Sequence, residues 1–218
     1  MKKLVAAILL CLCVVVLFCG CAVSWDSVKD DTAVARTGDM TIDYRLLKYY
    51  HAQQSISEEI AQQLFRDSDI QQQSTAELTM EDSLQQLMAQ AAVAQCAGAD
   101  IAVDKETAEQ EAREELGASG YDYMQNYTEQ LKAKMDLTDD ELLQTAAEMA
   151  YIRSNCDAVL KDVVQKLPSG LKEQEKRDAI YTQIKELADK TDVAQLFPRE
   201  KKASLDYGFL ADQAMLLF

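Results

Sequence analysis

Apolar residues recur at helical spacing along most of this chain, and the clearest run is Leu137–Val164. Leu142, Met149, Cys156 and Val163 return every seven residues, and Ala146, Ile152, Val159 and Leu160 fill the same side. Glu148, Arg153, Asp157 and Lys161 are left for the opposite, solvent side. Thr138 followed by Glu141 reads as a capping box, in which hydroxyl and carboxylate each satisfy a free backbone N–H. Asp139 and Asp140 add negative charge at the positive end of the helix dipole. The pattern predicts one long helix over 138–166, with partner helices on its apolar side.

The elements before it are shorter. Val34, Met40 and Ile42 flank a Gly38-Asp39 turn, which predicts a β-hairpin within 33–43. Asp43 then caps a helix from Tyr44 to about Phe65, with Leu47, Tyr50, Ile56, Ile60 and Leu64 as its stripe. The polar stretch 66–75 reads as a loop. A second helix runs from about 76 to 97, burying Leu84, Leu87, Met88, Ala91 and Cys96, and Gly98 stops it. Ile101–Val103 links to Asp104, which caps an acidic helix ending near Leu116. After a turn at 117–120, a short helix over 121–134 carries Tyr123, Met124, Tyr127 and Leu131.

Beyond the long helix, Leu167-Pro168-Ser169-Gly170 is a clear break. A closing helix is expected over 171–189, with Ile180, Ile184 and Leu187 on one face. Val193–Phe197 reads as a strand returning to the hairpin. After a charged break at 198–202, the chain ends in an apolar tail, Met215-Leu216-Leu217-Phe218, that should not hang free in water. The fold class expected is mainly α, with a small β-hairpin and a short closing strand.

The first twenty residues differ from the rest. Lys2 and Lys3 precede the apolar run Leu4–Phe18, which is shorter than the roughly 20 residues a membrane span needs. A charged start, a short apolar core and a small residue before a break describe a secretory signal. Phe18-Cys19-Gly20-Cys21 resembles the lipobox of bacterial lipoproteins, with Phe where Leu is usual and Cys where Ala or Ser is usual. That resemblance implies a signal peptide over 1–20 and lipidation of Cys21, which puts the rest on the extracytoplasmic face of the cell membrane. Residues 21–32 are polar and without a period, and read as a tether between the lipid and a body at 33–197. The alternative is an uncleaved N-terminal anchor, which also leaves the body outside the cytoplasm. Trp25 lies close enough to the anchor to reach the membrane interface.

Charge and cysteine content narrow the classes further. The chain has 22 basic and 37 acidic residues; without Lys2 and Lys3 the balance is 20 against 37, a net charge of −17. Such a body repels nucleic-acid phosphates and anionic lipid. Of six cysteines, Cys11, Cys13 and Cys19 lie in the signal, leaving Cys21, Cys96 and Cys156. Cys96 and Cys156 are the pair available for a disulfide in an oxidising compartment, free thiols being the commoner outcome for helix cysteines. A single histidine, His51, and the cysteine spacings argue against a zinc site.

The order of these pieces resembles the N-terminal domain of SurA/PrsA-type extracytoplasmic chaperones. The resemblance rests on Val34-Ala35, Gly38-Asp39, Thr41, Asp43 and Tyr49-Tyr50, on Leu84-Gln85-Gln86-Leu87-Met88 with Ala97-Gly98 before Ile101, and on Leu137-Thr138-Asp139-Asp140-Glu141-Leu142. It covers about 33–164, with 180–197 as the closing segment. It implies binding of unfolded or extended polypeptide. PrsA-type proteins carry a histidine-using prolyl isomerase domain before the closing helix, whereas here only Leu167–Leu171 occupies that place, so no isomerase activity is expected.

Other chemistry is not evident. The sequence has no Gly-rich phosphate loop, nucleophile elbow or His-Glu-x-x-His motif, and Asp100, Asp104 and Glu106 do not follow calcium-loop spacing. Glu114-Glu115 and Asp139-Asp140 read as solvated charge. No enzyme activity and no cofactor are expected. Methionine and tyrosine suit adaptable apolar contacts, and Tyr49, Tyr50, Tyr123 and Tyr127 are the candidates for an exposed peptide-binding groove. The expected function is an ATP-independent holdase. The alternative is a lipoprotein subunit that docks one folded partner, and the tail over 198–218 also offers a route to a homodimer.

Overall fold

The computed structural model describes residues 25–65, 78–117, 122–198 and 200–217. The signal, Cys21, the 66–75 loop and Phe218 lie outside the described residues. Within them the chain is mainly helical, with a small antiparallel sheet. Strands β1 (Ala33–Thr37) and β2 (Met40–Asp43) form the expected hairpin, and β3 (Val193–Gln195) returns to pair antiparallel with β1. A two-residue β4 (Lys201–Lys202) follows at the far side of β3. Gly38 takes φ +56° at the first position of the two-residue turn, and a Cβ there would press on Gln95 Oε1 at 3.2 Å. Glycine is the residue that meets both demands.

Seven α-helices are described: α1 (Tyr44–Phe65), α2 (Met80–Ala94), α3 (Lys105–Gly117), α4 (Asp122–Met135), α5 (Asp139–Gln165), α6 (Glu173–Ala188) and α7 (Gly208–Met215). Their starts follow local chemistry. Asp43 Oδ1 accepts from Leu46 N (2.8 Å), and Asp104 Oδ1 from Thr107 N (2.8 Å). Thr138 with Glu141, and Thr79 with Asp82, form complete capping boxes. The described part of the second helix begins later and ends earlier than its apolar pattern suggests, because Thr79 caps it and Gln95 closes it before Gly98.

Helix α5 is the axis of the core. Leu142, Ala146, Met149, Ile152, Cys156, Val159, Leu160 and Val163 are buried as the heptad spacing predicts, and so are Thr145, Ala150 and Asn155. Helices α1, α2, α3, α6 and α7 all pack on it. The side expected to face solvent is therefore largely an interhelical seam. Arg153 pairs with Glu115 of α3 (2.7 Å), and Asp157 accepts from Gln213 of α7 (2.9 Å). Of the four residues assigned to solvent, Lys161 alone is exposed. Helix α3 comes close because the residues it buries, Ala108 and Ala112, are small.

Both ends of the described chain dock on this core. The stretch expected to be a tether belongs to the body from Trp25 onward. The Trp25 ring stacks on Tyr44 (5.6 Å between centroids) and meets Phe197 (4.9 Å), and its Nε1–H donates to Glu81 Oε1 (2.6 Å). Thr32 O and Asp30 O accept from Tyr44 N and Arg45 N, and Lys48 Nζ donates to Asp30 (2.9 Å). The C-terminal tail is likewise mostly absorbed: α7 buries Leu210, Ala211 and Ala214, and Arg177 Nη2 donates to Asp212 Oδ2 (3.1 Å). Beyond it Leu216 is 85% exposed and Leu217 43%.

One buried polar residue ties α5 to the link before α3. Asn155, 2% exposed, accepts from Val103 N (2.9 Å) and donates to Val103 O (3.0 Å) and Tyr151 O (2.9 Å). Both backbone groups of Val103 thus find partners on one side chain. Replacing Asn155 with alanine strands them, at a cost of about 1–3 kcal/mol. Urea unfolding should show that loss for Asn155→Ala and a change near zero for Lys161→Ala, which removes only an exposed side chain.

Candidate functional site

The amino-terminal half of α5 presents two adjacent rows at i, i+4 spacing: Asp140, Gln144 and Glu148, and Leu143, Ala147 and Tyr151. Both rows line a cleft of about 950 Å³ whose other side is the hairpin, through Asp39 of the turn and Met40, Thr41 and Asp43 of β2. Leu46 and Ile152, both buried, also contribute, while Met40, Leu143, Ala147 and Tyr151 are partly buried apolar surface. The volume lies in the range of ligand-binding clefts.

The cleft is strongly acidic. Asp31, Asp39, Asp43, Glu109, Asp140 and Glu148 line it, against the single ammonium of Lys105. Asp43 has a guanidinium neighbour, Arg45 Nη2, at 3.7 Å. Glu148 accepts from Gln144 Nε2 (3.4 Å). Partial burial, followed by repulsion from Asp43, pushes its carboxyl above the usual range, and the charge of Arg45, the Gln144 hydrogen bond and the charge of Lys105 offset this only in part. Asp139-Asp140 thus divides: Asp139 pairs with Lys132 (2.6 Å) and Asp140 faces the cleft. Glu115, read as solvated charge, instead holds Arg153.

Two of the four tyrosines singled out from sequence, Tyr49 and Tyr50, are not available to a groove. Tyr49 is 1% exposed and Tyr50 2%, so both are core residues. Burial raises both phenols, and Tyr50 OH donates to Gln86 Oε1 (3.0 Å). The reason is that α1 packs on α2, α4 and α5 at once, so adjacent positions on it are both covered. Tyr127 is partly buried, hydrogen-bonded to Gln53, and pushed up to about 12 chiefly by desolvation. The side chain of Tyr123 lies outside the described residues. The tyrosine that does line the cleft is Tyr151, together with Met40.

His51, Cys96 and Cys156 do not line the cleft. His51 Nδ1 and Ser83 Oγ are hydrogen-bonded at 2.9 Å, but Ser83 is fully buried and does not line the cleft. Cys96 and Cys156 are free thiols, the first half-buried with Sγ 3.4 Å from Ala92 O, the second buried with its thiol pushed up by desolvation. Among the described residues no three metal-ligating side chains converge, and no helix is long and apolar enough to cross a membrane.

No protein-family profile, curated protein or solved structure matches this chain.

The raised carboxyl of Glu148 has a definite consequence for stability. Between the ordinary glutamate value and its raised folded value, the native state binds more protons than the unfolded one. Stability is therefore lost as pH rises through that window, and the penalty persists at neutral pH. Solvent in the open cleft screens part of it. Glu148→Gln should raise the melting temperature at pH 7 by roughly 1–3 °C, and the gain should vanish at pH 4. A variant equally stabilised at both pH values would mean that charge is not the cause.

Proposed function

We propose that this chain is a lipid-anchored extracytoplasmic protein that holds non-native or extended polypeptide, without prolyl isomerase activity. The observation that carries the reading is the cleft between β2 and α5: wide, open, apolar along Leu143 and Ala147, and rimmed by carboxylates. Such a site offers adaptable contact area. The resemblance to SurA/PrsA-type N-terminal domains is supported by the Gly-acid hairpin, by the capped long helix and by β3 pairing on β1. The link between α5 and α6 spans only residues 166–172. The net charge of −17 on residues 21–218 keeps a client complex soluble by repulsion.

A second reading is a subunit that docks one folded partner. Exposed Leu216 and Leu217, next to the docked α7, favour it, and the same residues would serve a homodimer. The two readings differ in promiscuity. Residues 22–218, diluted with two unrelated denatured clients, should suppress the light scattering of both at near-stoichiometric ratio. Suppression of neither would leave the docking reading, and a single co-purifying partner lost on Leu216→Ser would then be expected. The anchor has its own test: Cys21→Ser should move the protein from the membrane fraction to the soluble extracytoplasmic one.

A further inference from the structure

Strand β2 is one of the two outer strands of the described sheet, β4 being the other. Its one strand neighbour is β1, and the order β2-β1-β3-β4 places no described strand on its other side. In an antiparallel ladder, alternate residues turn N–H and C=O toward the partner, and those between turn them away. The two-residue turn closes on the pair Thr37 and Met40, which makes Thr41 the residue whose backbone groups point outward. Thr41 is exposed, and it lines the cleft with Met40 and Asp43. Sheet edges of this kind are templates for another strand unless covered or blocked. This one opens on a cleft instead.

The opposite wall says which strand would fit. Across from β2 stand the apolar row Leu143 and Ala147 and the carboxylates of Asp140 and Glu148, while Asp43 lies on β2 itself. Side chains of an extended segment alternate between faces at a period of two, so one segment meets apolar and acidic surface together. Six lining carboxylates against one ammonium repel an acidic segment and attract a basic one. We infer that the cleft takes an extended polypeptide segment as an added strand on β2, with its lysine or arginine side chains directed to Asp43 and Glu148. This rests on the polypeptide-holding reading above and narrows it to one binding mode and one class of segment. Main-chain hydrogen bonds supply sequence-tolerant affinity in such complexes, and the alternating side chains supply preference.

The test uses the full chain in non-ionic detergent and a dye-labelled peptide of alternating lysine and valine, followed by fluorescence anisotropy. The peptide should bind. Replacing lysine with glutamate, or combining Asp43→Asn with Glu148→Gln, should weaken binding at least roughly tenfold, the size of one lost charge-assisted hydrogen bond. The Asp43→Asn change keeps a side-chain acceptor for Leu46 N, so the α1 cap survives. Methylating alternate peptide nitrogens should weaken binding for one phase of the alternation and not the other. Hydrogen exchange at the Thr41 amide should slow when peptide is added.

Equal binding of the lysine and glutamate peptides overturns the inference, as does indifference to methylation in either phase. If clients are still kept from aggregating in that case, holding stands and uses another surface. Loss of both peptide binding and client suppression removes the holding reading and this one together. Thr41 protection that grows with protein concentration, without peptide, would assign the edge to a second copy and equally overturn it.

Discussion

The structure depends on one constraint: α5 is buried on more sides than its apolar stripe can fill. A helix with a single apolar face needs partners on that face alone. Here five other helices pack on it, so polar residues of α5 must also be satisfied inside the protein. Thr145 does this within its own helix, its hydroxyl donating to Glu141 O (2.7 Å). Asn155 reaches the link before α3, Ser154 and Arg153 reach α3 itself, and Asp157 reaches α7. Each contact joins α5 to a segment far away in sequence. The seams position the links and the tail, and they leave the first turns of α5 free to form a cleft wall.

What the sequence made legible was what local chemistry decides. The hairpin follows from a glycine that tolerates positive φ between two short apolar runs, and α5 from a capping box and a seven-residue repeat. Return of β3 to β1 was legible as well, because an apolar run of five residues after a helix has few places to be buried. Tertiary packing decides the rest. Tyr49 and Tyr50 looked available because α1 has an imperfect stripe, and it is imperfect because three neighbours cover it from different directions. Trp25 read as part of a tether because nothing local marks its partners, Tyr44, Glu81 and Phe197, which are scattered over the chain. The cleft draws on residues from Asp31 to Ile152, and no window of sequence contains it.

The docked Trp25 changes what an anchor at Cys21 would do. Three residues separate the two, and an extended chain advances at most about 3.3–3.6 Å per residue. A body clasped at Trp25 would therefore sit close against the membrane instead of swinging on a tether of a dozen residues. Asp31 lies only six residues beyond Trp25 and already lines the cleft. A lipid at Cys21 would thus hold the Trp25 end of the body near the bilayer surface.

The acidic cleft also sets stability against binding. Glu148 is held beside Asp43 with its charge only partly offset, an arrangement that costs the free protein stability and that a neutral glutamine would relieve. A cationic group received there would restore what the fold gives up. The same carboxylates guard the open edge of β2. An exposed strand edge invites self-association, and charge beside it is one of the ways proteins discourage that. Acidic walls would repel another copy of this acidic chain while admitting a basic segment. One set of residues would then provide both the protection and the preference, which explains why the edge can remain open without a covering helix.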